Sequence, residues 1–344
     1  MFLKDVWQVA AFAKEVGREI LPRSLAGEAV ILYRTSAGTP VAMLDACPHR
    51  FLPLSMGKLS GDVVQCGYHG LCFDHHGDCV KIPGQDRIPS TAKVKVFPVV
   101  ERYGFIWIWL GDAAKADESK VPNFHWMTNP EWAVSEGYHH IDAHYQLIND
   151  NLLDLSHETF VHPHTIGNHA VAESPLTVSE GEGTVIAHRD ILDCEPPPFY
   201  VQAAGFSTRI DRWHTTIFTP PGFLVIKNGS VPAGMPKEEA RAKGIARERR
   251  VLNLITPETE TSSHYFWGIA RGYDIENVGL TDYIRSEVAR TFDEDKLVLE
   301  AQQRKLGDHK ITHFPITLRA DAGAVRGRRL IESMLRGISA TAAE

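Results

Sequence analysis

Two short groups of cysteine and histidine could bind transition metals. Cys47 and His49 are separated by one residue, and Cys66 and His69 by two. Residues 50–65 lie between the groups, long enough for a strand to run out and return. Two thiolates on one iron and two imidazoles on the other would hold a [2Fe–2S] cluster. Neutral imidazoles in place of thiolates lower the negative charge of the cluster and raise its reduction potential.

A structural zinc site is the alternative interpretation, since Zn²⁺ also accepts two cysteines and two histidines. Zinc sites more often pair cysteine with cysteine and histidine with histidine. The alternating order of these residues therefore favours the iron–sulfur cluster. We interpret the remaining cysteines as packing residues, and they are Cys72, Cys79 and Cys194.

A second set of candidate ligands lies further along the chain. Asn151, Asp154 and His157 are spaced by three, which predicts that they share one face of a helix. His162 follows five residues after His157, about 140° further round an ideal helix. Pro163 disfavours the helical conformation of the residue before it. We therefore expect the helix to end near His162 and this side chain to turn back toward His157.

Two histidines would need a third ligand to form a reactive metal site. A helix predicted over residues 282–305 carries an apolar stripe, and Asp295 falls on it between Phe292 and Leu299. A carboxylate on an apolar face costs on the order of several kcal/mol unless it is paired or binds a metal. Asp295 is therefore the predicted third ligand.

His157, His162 and Asp295 would together form the triad of two histidines and one carboxylate found in non-haem Fe(II) oxygenases, which leaves open positions for O₂. Asp293 and Glu294 lie off the stripe and are expected to be solvated. We interpret the other histidines nearby as structural or surface residues, and they are His139, His140, His144, His164 and His169.

Hydrophobic periodicity predicts the elements that position these groups. The first third contains short strand-like runs, with Gly38 and Gly77 at turn positions. We expect an all-β domain over residues 1–111, with a polar linker-like segment over 111–120. The predicted strands are 29–33, 41–44, 63–66, 94–97 and 105–109.

The remainder, residues 112–344, mixes helices and strands and predicts an α+β domain with helices against an antiparallel sheet. The predicted helices cover 149–160 and 282–305. The predicted strands cover 215–226, 249–255 and 263–270, with a turn at 256–260.

Composition excludes several classes of function. The chain has 344 residues and a formal net charge of −7, so a nucleic-acid partner is not expected. The basic segment 237–250 is interleaved with glutamates and is interpreted as solvated. The longest apolar run, 105–110, is too short to cross a bilayer. The charged beginning of the chain does not resemble a signal peptide, so we expect a cytoplasmic protein without a disulfide framework.

The sequence resembles the Rieske oxygenases, and within them the vanillate O-demethylase oxygenase branch, close to dicamba demethylase and toluenesulfonate methyl-monooxygenase. The resemblance rests on the two cysteine–histidine groups and on the pattern Asn-x-x-Asp-x-x-His-x-x-x-x-His. It extends over nearly the whole chain. Further similar runs are 101–109, 154–159, 256–259, 294–296 and 321–323.

This resemblance implies an N-terminal Rieske domain and a C-terminal helix-grip domain holding a mononuclear Fe(II). It implies an O₂- and NADH-dependent monooxygenase, with O-demethylation or hydroxylation of a small aromatic acid such as a methoxybenzoate. Leu52, Tyr68 and Leu71 replace residues that support the cluster in respiratory Rieske proteins, which places its potential low in the Rieske range.

The resemblance also implies partners. Electrons would come from NADH through a separate flavin and iron–sulfur reductase, with or without a ferredoxin, because the chain has no dinucleotide-binding glycine fingerprint. The oxygenase would be a ring-shaped homotrimer in which the cluster of one subunit faces the iron of the next. Asp154 would then connect His69 of one subunit to His157 of its neighbour.

Substrate residues are less sharply indicated. Ile226, Asn228 and His264 are candidates for the pocket wall, and so are Phe199, Phe223 and Phe266. An anionic substrate would need a cation, for which Lys227, Arg209 and Arg271 are candidates. A ring-hydroxylating dioxygenase and an N-demethylase would share both metal motifs. A helix-grip binding protein with a structural zinc is the non-enzymatic alternative.

Overall fold

A computed structural model of the chain describes residues 2–307 and 314–337. Two compact units are present. The first consists of Met1–Phe124 and Thr256–Thr259, and the second of His125–Ile255 and Glu260–Glu344. The polar segment interpreted as a linker lies inside the first unit, where two 3₁₀ turns, Ala113–Lys115 and Glu118–Lys120, occupy most of it.

The first unit is built from antiparallel strands in three sheets, ordered β1-β11-β10, β2-β3-β4-β9 and β5-β6-β7-β8. The strands are β1 (Trp7–Phe12), β2 (Leu21–Leu25), β3 (Glu28–Arg34), β4 (Pro40–Leu44), β5 (Lys58–Ser60), β6 (Val63–Gln65), β7 (Cys72–Phe73), β8 (Cys79–Lys81), β9 (Val96–Phe97), β10 (Val99–Arg102) and β11 (Phe105–Trp109). The remaining helical turns of this unit are 3₁₀ turns at Ala13–Glu15 and Leu54–Met56.

Glycines make the tight turns between these strands. Gly77 joins β7 to β8 with φ +82°, and a Cβ there would lie 2.1 Å from the Val94 carbonyl oxygen. Only glycine fits such a position. Gly38 turns between β3 and β4 with φ +84°. Both glycines thus occupy the turns that the sequence predicts.

The second unit contains a seven-stranded antiparallel sheet in the order β12-β18-β17-β16-β15-β14-β13. Its strands are β12 (Ala133–Ile141), β13 (Thr177–Gly181), β14 (Thr184–Cys194), β15 (Ile210–Thr219), β16 (Phe223–Pro232), β17 (Arg247–Thr259) and β18 (Ser262–Arg271). Its helices are α1 (Tyr145–Leu153), α2 (Glu158–Val161), α3 (His169–Glu173), α4 (Pro198–Ala204), α5 (Lys237–Ala242), α6 (Val278–Leu306) and α7 (Ala322–Leu335). Short 3₁₀ turns lie at His125–Met127, Leu155–His157 and Arg319–Asp321.

Helix α6 is the longest element and packs against β12 of the sheet. Asn277 caps its start, accepting a 2.9 Å hydrogen bond from the Leu280 amide. Its buried face carries the apolar residues of the predicted stripe together with Asp295. The α+β class with a helix-grip second domain is therefore confirmed. None of the described helices has the length and apolar character to cross a membrane.

The helix predicted over 149–160 is wrong in its bounds. Helix α1 ends at Leu153, and Asp154 is extended with φ −120° and ψ 93°. Its carboxylate accepts hydrogen bonds from the amide and hydroxyl of Ser156, at 3.0 and 2.9 Å. Aspartate side chains that bond nearby backbone amides in this way compete with the helix. Asn151, Asp154 and His157 therefore do not share one helical face.

Three further expectations also need correction. The strand predicted over 215–226 is a hairpin, because Pro220, Pro221 and Gly222 separate β15 from β16. The turn predicted at 256–260 falls later, since β17 continues to Thr259. The basic segment 237–250 is only partly solvated. It contains α5 and the start of β17, where Arg249 is buried.

Candidate active site

Two loops of similar geometry carry the cysteine–histidine groups. In the first, the Cys47 amide donates to the Leu52 carbonyl and the Phe51 amide donates back to the Cys47 carbonyl, at 2.9 and 2.8 Å. In the second, the Cys66 amide donates to the Leu71 carbonyl at 2.8 Å, and the Gly70 amide returns to the Cys66 carbonyl at 3.2 Å. Each loop thus begins at its cysteine and closes on a leucine five residues later.

The loops place the sulfurs inside and the imidazoles outside. Cys47 and Cys66 are buried in one hydrophobic cluster, whereas His49 and His69 are exposed with ring centroids 4.5 Å apart. Burial and the neighbouring Cys66 thiol raise the pKa of the Cys47 thiol. Bound iron would stabilise both thiolates and offset that shift. Two adjacent thiols and two adjacent imidazoles are the donor set that a [2Fe–2S] cluster with mixed ligands requires.

The second candidate site brings together His157, His162 and Asp295. His157 is the last residue of the 3₁₀ turn after α1, His162 follows α2, and Asp295 lies on the buried face of α6. The Asp295 Oδ1 atom lies 3.4 Å from His157 Nε2 and 3.2 Å from His162 Nε2. One potential ligand atom from each residue lies within 4.8 Å of the others.

The protonation of this group fits a cation site. Burial lowers the pKa of His157, but the Asp295 carboxylate overcomes this and raises it to about 9. Burial likewise raises the pKa of Asp295, yet the two histidines hold it below its usual range. His162 Nε2 is buried and makes no hydrogen bond to any described residue. A metal ion would give this nitrogen a partner and supply the positive charge that Asp295 attracts.

Each candidate ligand is held by a second residue. His162 Nδ1 donates a hydrogen bond to Glu294 Oε2 at 2.7 Å. His157 Nδ1 donates to the backbone carbonyl of Asp154 at 2.6 Å. Asn151 Nδ2 donates to Asp295 Oδ1 at 3.0 Å. Such contacts fix the ring orientation of metal-binding histidines.

Two expectations are corrected by these contacts. Glu294 is predicted to be solvated, but its carboxylate contacts and orients His162. Glu294 is one residue further round α6 than Asp293, and this rotation directs its side chain toward the site. The Asp154 carboxylate does not hold the imidazole of His157. It holds Ser156, and lies 3.8 Å from Arg189. The spacing of Asp154 and His157 in the sequence predicts that the two residues are close, but it does not show whether the carbonyl or the carboxylate of Asp154 accepts the hydrogen bond from His157.

A cavity lies beside the triad, with an empty volume of about 650 Å³ including the space open to solvent. Its walls are mainly apolar and aromatic. They include Leu152, Leu155, Ile166, Phe199, Tyr200, Ile226, Asn228, Val251, Ile269, Val288, Thr291 and Phe292, besides the three ligands and a small set of charged or polar residues.

Comparison with known proteins identifies the family. Residues 6–98 match the Rieske [2Fe–2S] domain, and residues 141–337 match the vanillate O-demethylase oxygenase C-terminal domain. The chain belongs to the vanillate O-demethylase oxygenase family. It is therefore an enzyme of the Rieske monooxygenase type, and its N-terminal cysteines and histidines belong to an iron–sulfur domain rather than a zinc site.

Relatives of this oxygenase match it from end to end. The vanillate O-demethylase oxygenase subunit of Pseudomonas sp. (strain HR199 / DSM 7063) is 38% identical, covering 97% of this chain and 95% of its own. The toluene-4-sulfonate monooxygenase system iron-sulfur subunit of Comamonas testosteroni is also 38% identical, covering 98% of both chains. The crystal structure of dicamba monooxygenase bound to 3,6-dichlorosalicylic acid superposes with a TM-score of 0.91 at 35% identity, covering 100% of this chain and 99% of the other.

The cavity of this Rieske oxygenase contains some of the predicted substrate residues. Ile226, Asn228 and Phe199 line it. His264 lies outside the lining and contacts the Tyr138 hydroxyl at 2.8 Å through Nδ1. Residues 223 and 266 also lie outside. Alternation along a strand shows which residues share a face, but a single sequence does not show which face the cavity occupies.

The predicted cations are not those that face the cavity. Arg209 pairs with Asp193 and Glu195 at the surface, and Lys227 is exposed. Arg271 donates to backbone carbonyls at residues 274 and 277.

Arg212 and Arg249 line the cavity of this oxygenase instead. The glutamates around Arg249 predict a solvated segment, whereas this side chain is buried. Arg249 and the cavity-lining Val251 are two residues apart on β17, so their side chains point to the same face of the strand. This spacing was the signal in the sequence that Arg249 faces the cavity.

Proposed function

We propose that this chain is the terminal oxygenase of an O₂- and NADH-dependent system that O-demethylates or hydroxylates a small aromatic acid, such as a methoxybenzoate. The observation that carries the proposal is the position of the His157, His162 and Asp295 triad on the wall of an apolar, aromatic cavity. Relatives that act on aromatic acids or sulfonates by name support the substrate class.

In this proposal His157, His162 and Asp295 hold a mononuclear Fe(II), and Cys47, Cys66, His49 and His69 hold the [2Fe–2S] cluster. The iron supplies O₂ activation when bound. The chain holds the ring of the substrate against apolar walls and excludes water, while Asn151 and Glu294 keep the ligands oriented.

For an aryl methyl ether, one oxygen atom of O₂ would enter the methyl C–H bond and the other would leave as water. NADH supplies the two electrons. The resulting hemiacetal breaks its C–O bond to give a phenol and formaldehyde. A separate flavin and iron–sulfur reductase, with or without a ferredoxin, delivers the electrons. The names of the relatives support this, because they are called an oxygenase subunit or an iron-sulfur subunit of a system.

Turnover and the visible spectrum of the cluster test this proposal together. We expect His157→Ala, His162→Ala and Asp295→Ala each to abolish formaldehyde release from a panel of methoxybenzoates, with NADH and a surrogate reductase. The visible spectrum of the cluster should persist. Asp293→Ala is the control and should stay active, because the Asp293 side chain is exposed. Full activity of Asp295→Ala, or no release of phenol and formaldehyde from any methoxybenzoate by the wild type, would contradict the assignment.

We also propose a homotrimer in which Asp154 carries electrons from His69 of one subunit to His157 of the next. Support comes from an open groove in the second unit that Asp154 and His157 both line. Because the carbonyl of Asp154 holds His157, Asp154→Asn should keep both metals. We expect it to slow cluster reoxidation about a hundredfold in single-turnover absorbance measurements. Wild-type reoxidation rates would show that Asp154 has only a capping role.

A further inference from the structure

Arg249 is a buried cation without a counter-ion. Its side chain lines the cavity beside the metal triad and is 2% exposed. Neither Nη1 nor Nη2 has a hydrogen-bond partner, and Nε makes only a 3.4 Å contact with Asn228 Oδ1. Within residues 2–307 and 314–337, no carboxylate lies within ion-pair distance of it. A guanidinium buried in this way is costly unless something neutralises it.

The neighbouring buried arginines are already neutralised. Arg212 Nη2 lies 3.5 Å from Glu158 Oε2, 3.0 Å from the Tyr200 hydroxyl and 2.9 Å from His214 Nε2. Arg189 faces Asp154. Burial and the adjacent Arg212 keep the pKa of His214 well below its usual value, so this histidine adds no charge. One positive charge, that of Arg249, is therefore left over.

The uncompensated guanidinium is also held in place. The Cζ atom of Arg249 lies 4.6 Å from the ring centroid of Phe199 and 4.7 Å from that of Tyr200. Stacking of this kind holds the guanidinium plane and leaves its edge available. Two free nitrogens on one edge match the two oxygens of a carboxylate or sulfonate.

We infer that Arg249, assisted by the Asn228 amide, binds the single anionic group of the aromatic substrate. This inference rests on the proposed function and makes it more specific: the substrate is a monoanion, and Arg249 selects it over neutral aromatic ethers. Arg249 acts in binding and orientation, and it takes no part in the oxidation itself.

Binding to the wild-type holoenzyme provides the first test, without NADH or turnover. Dissociation constants are measured by calorimetry for 4-methoxybenzoate, 4-methoxybenzenesulfonate and neutral 4-methoxybenzamide. We expect an anionic probe to bind at least about thirtyfold more tightly than the amide, the lower end of the effect of breaking a buried charge pair. The carboxylate and sulfonate distinguish a planar from a tetrahedral anion.

Variants then assign the effect to one side chain. Arg249→Gln should remove the preference for the anion over the amide. Arg249→Lys should restore part of it, because lysine keeps the charge but not the planar fork. Lys227→Gln is the matched control, since it removes the same charge from an exposed position on the neighbouring strand. It should bind every probe like the wild type.

Equal wild-type affinities for anionic and neutral probes, or no affinity for either anion, would overturn the inference without needing any variant. An anion preference that survives in Arg249→Gln would overturn the role of Arg249. Formaldehyde release is measured separately on the same panel. Equal turnover of 4-methoxybenzoate and 4-methoxybenzamide would leave the proposed function standing, whereas tight anion binding without product would refute that function alone.

Discussion

The two histidines of the candidate metal triad are fixed by acceptors of different charge. His157 donates to a neutral backbone carbonyl, whereas His162 donates to the Glu294 carboxylate. A carboxylate acceptor makes the imidazole a stronger electron donor to a metal than a carbonyl does. The two nitrogen ligands of the proposed iron are therefore unequal, and Glu294 sets the difference.

Glu294→Gln should weaken iron binding by about ten- to a hundredfold, because the amide keeps a hydrogen bond to His162 but loses the charge. The measurement is competition for Fe(II) with a chelator of known affinity, followed by iron analysis. Asp293→Asn is the matched control. It removes a charge from the adjacent, exposed carboxylate, which contacts His139 rather than a proposed ligand. Equal iron affinity in Glu294→Gln would show that the charge is unimportant.

At this scale the sequence identified what depends on local spacing and missed what depends on distant partners. The spacing of His157 and His162, and the polar interruption of an apolar stripe at Asp295, are visible within one segment. Glu294 and Arg249 are not recognisable in this way. Their roles depend on α2 and on the cavity, which only the folded chain brings next to them.

The sheet of the second unit pairs glycines with tryptophans on adjacent strands. Gly137 of β12 faces Trp267 of β18, and Gly229 of β16 faces Trp213 of β15. A Cβ at either glycine would lie 2.1 Å from the Cζ2 atom of the facing ring. Each large ring occupies the space that a side chain at the facing glycine would need.

Gly229→Ala should therefore destabilise the protein by about 1–3 kcal/mol, the usual penalty of overpacking. Chemical denaturation monitored by tryptophan fluorescence measures the free energy of unfolding. Gly279→Ala is the control, because a Cβ there meets only Asn277 Oδ1 at an ordinary 3.6 Å. It lies near the start of α6 and should be neutral or slightly stabilising. Equal effects of the two substitutions would show that the ring can move aside.

The elements themselves followed from the sequence where periodicity was long and uninterrupted. Helix α6 and strands β3, β4 and β11 lie where they were expected. The end of α1 was missed because a single side chain, Asp154, caps the following turn and stops the helix. The hairpin of β15 and β16 was missed because the apolar pattern continues on both sides of Pro220.

At the scale of the whole molecule, the two proposed metal centres reside in separate units of the chain. The cluster residues belong to the first unit, and the triad belongs to the second. In the proposed homotrimer, a cluster would serve the iron of another subunit. Composition and resemblance predict the two domains. The assembly depends on which surface residues contact another subunit, and a single sequence does not show this.

Mixed assemblies test the proposed electron path. Asp295→Ala chains cannot hold the mononuclear iron, and His49→Ala chains should lack an intact cluster. Neither should be active alone. We expect activity to return when the two are co-assembled, because an intact cluster can then lie beside an intact iron site of another chain. Formaldehyde release is measured after mass spectrometry confirms mixed trimers. Inactive mixed trimers would place the working metals within one subunit.

The proposed iron also joins parts of the chain that are far apart in sequence. Two ligands come from the segment around α2 and the third from α6, well over a hundred residues later. Iron bound there would link the segment around α2 to α6, and it would stabilise the folded chain because the unfolded chain does not bring these ligands together. Iron starvation would then cost the cell more than activity. Enzyme made without iron would open more readily around α6 and become a substrate for proteases, so iron supply would set how much oxygenase survives.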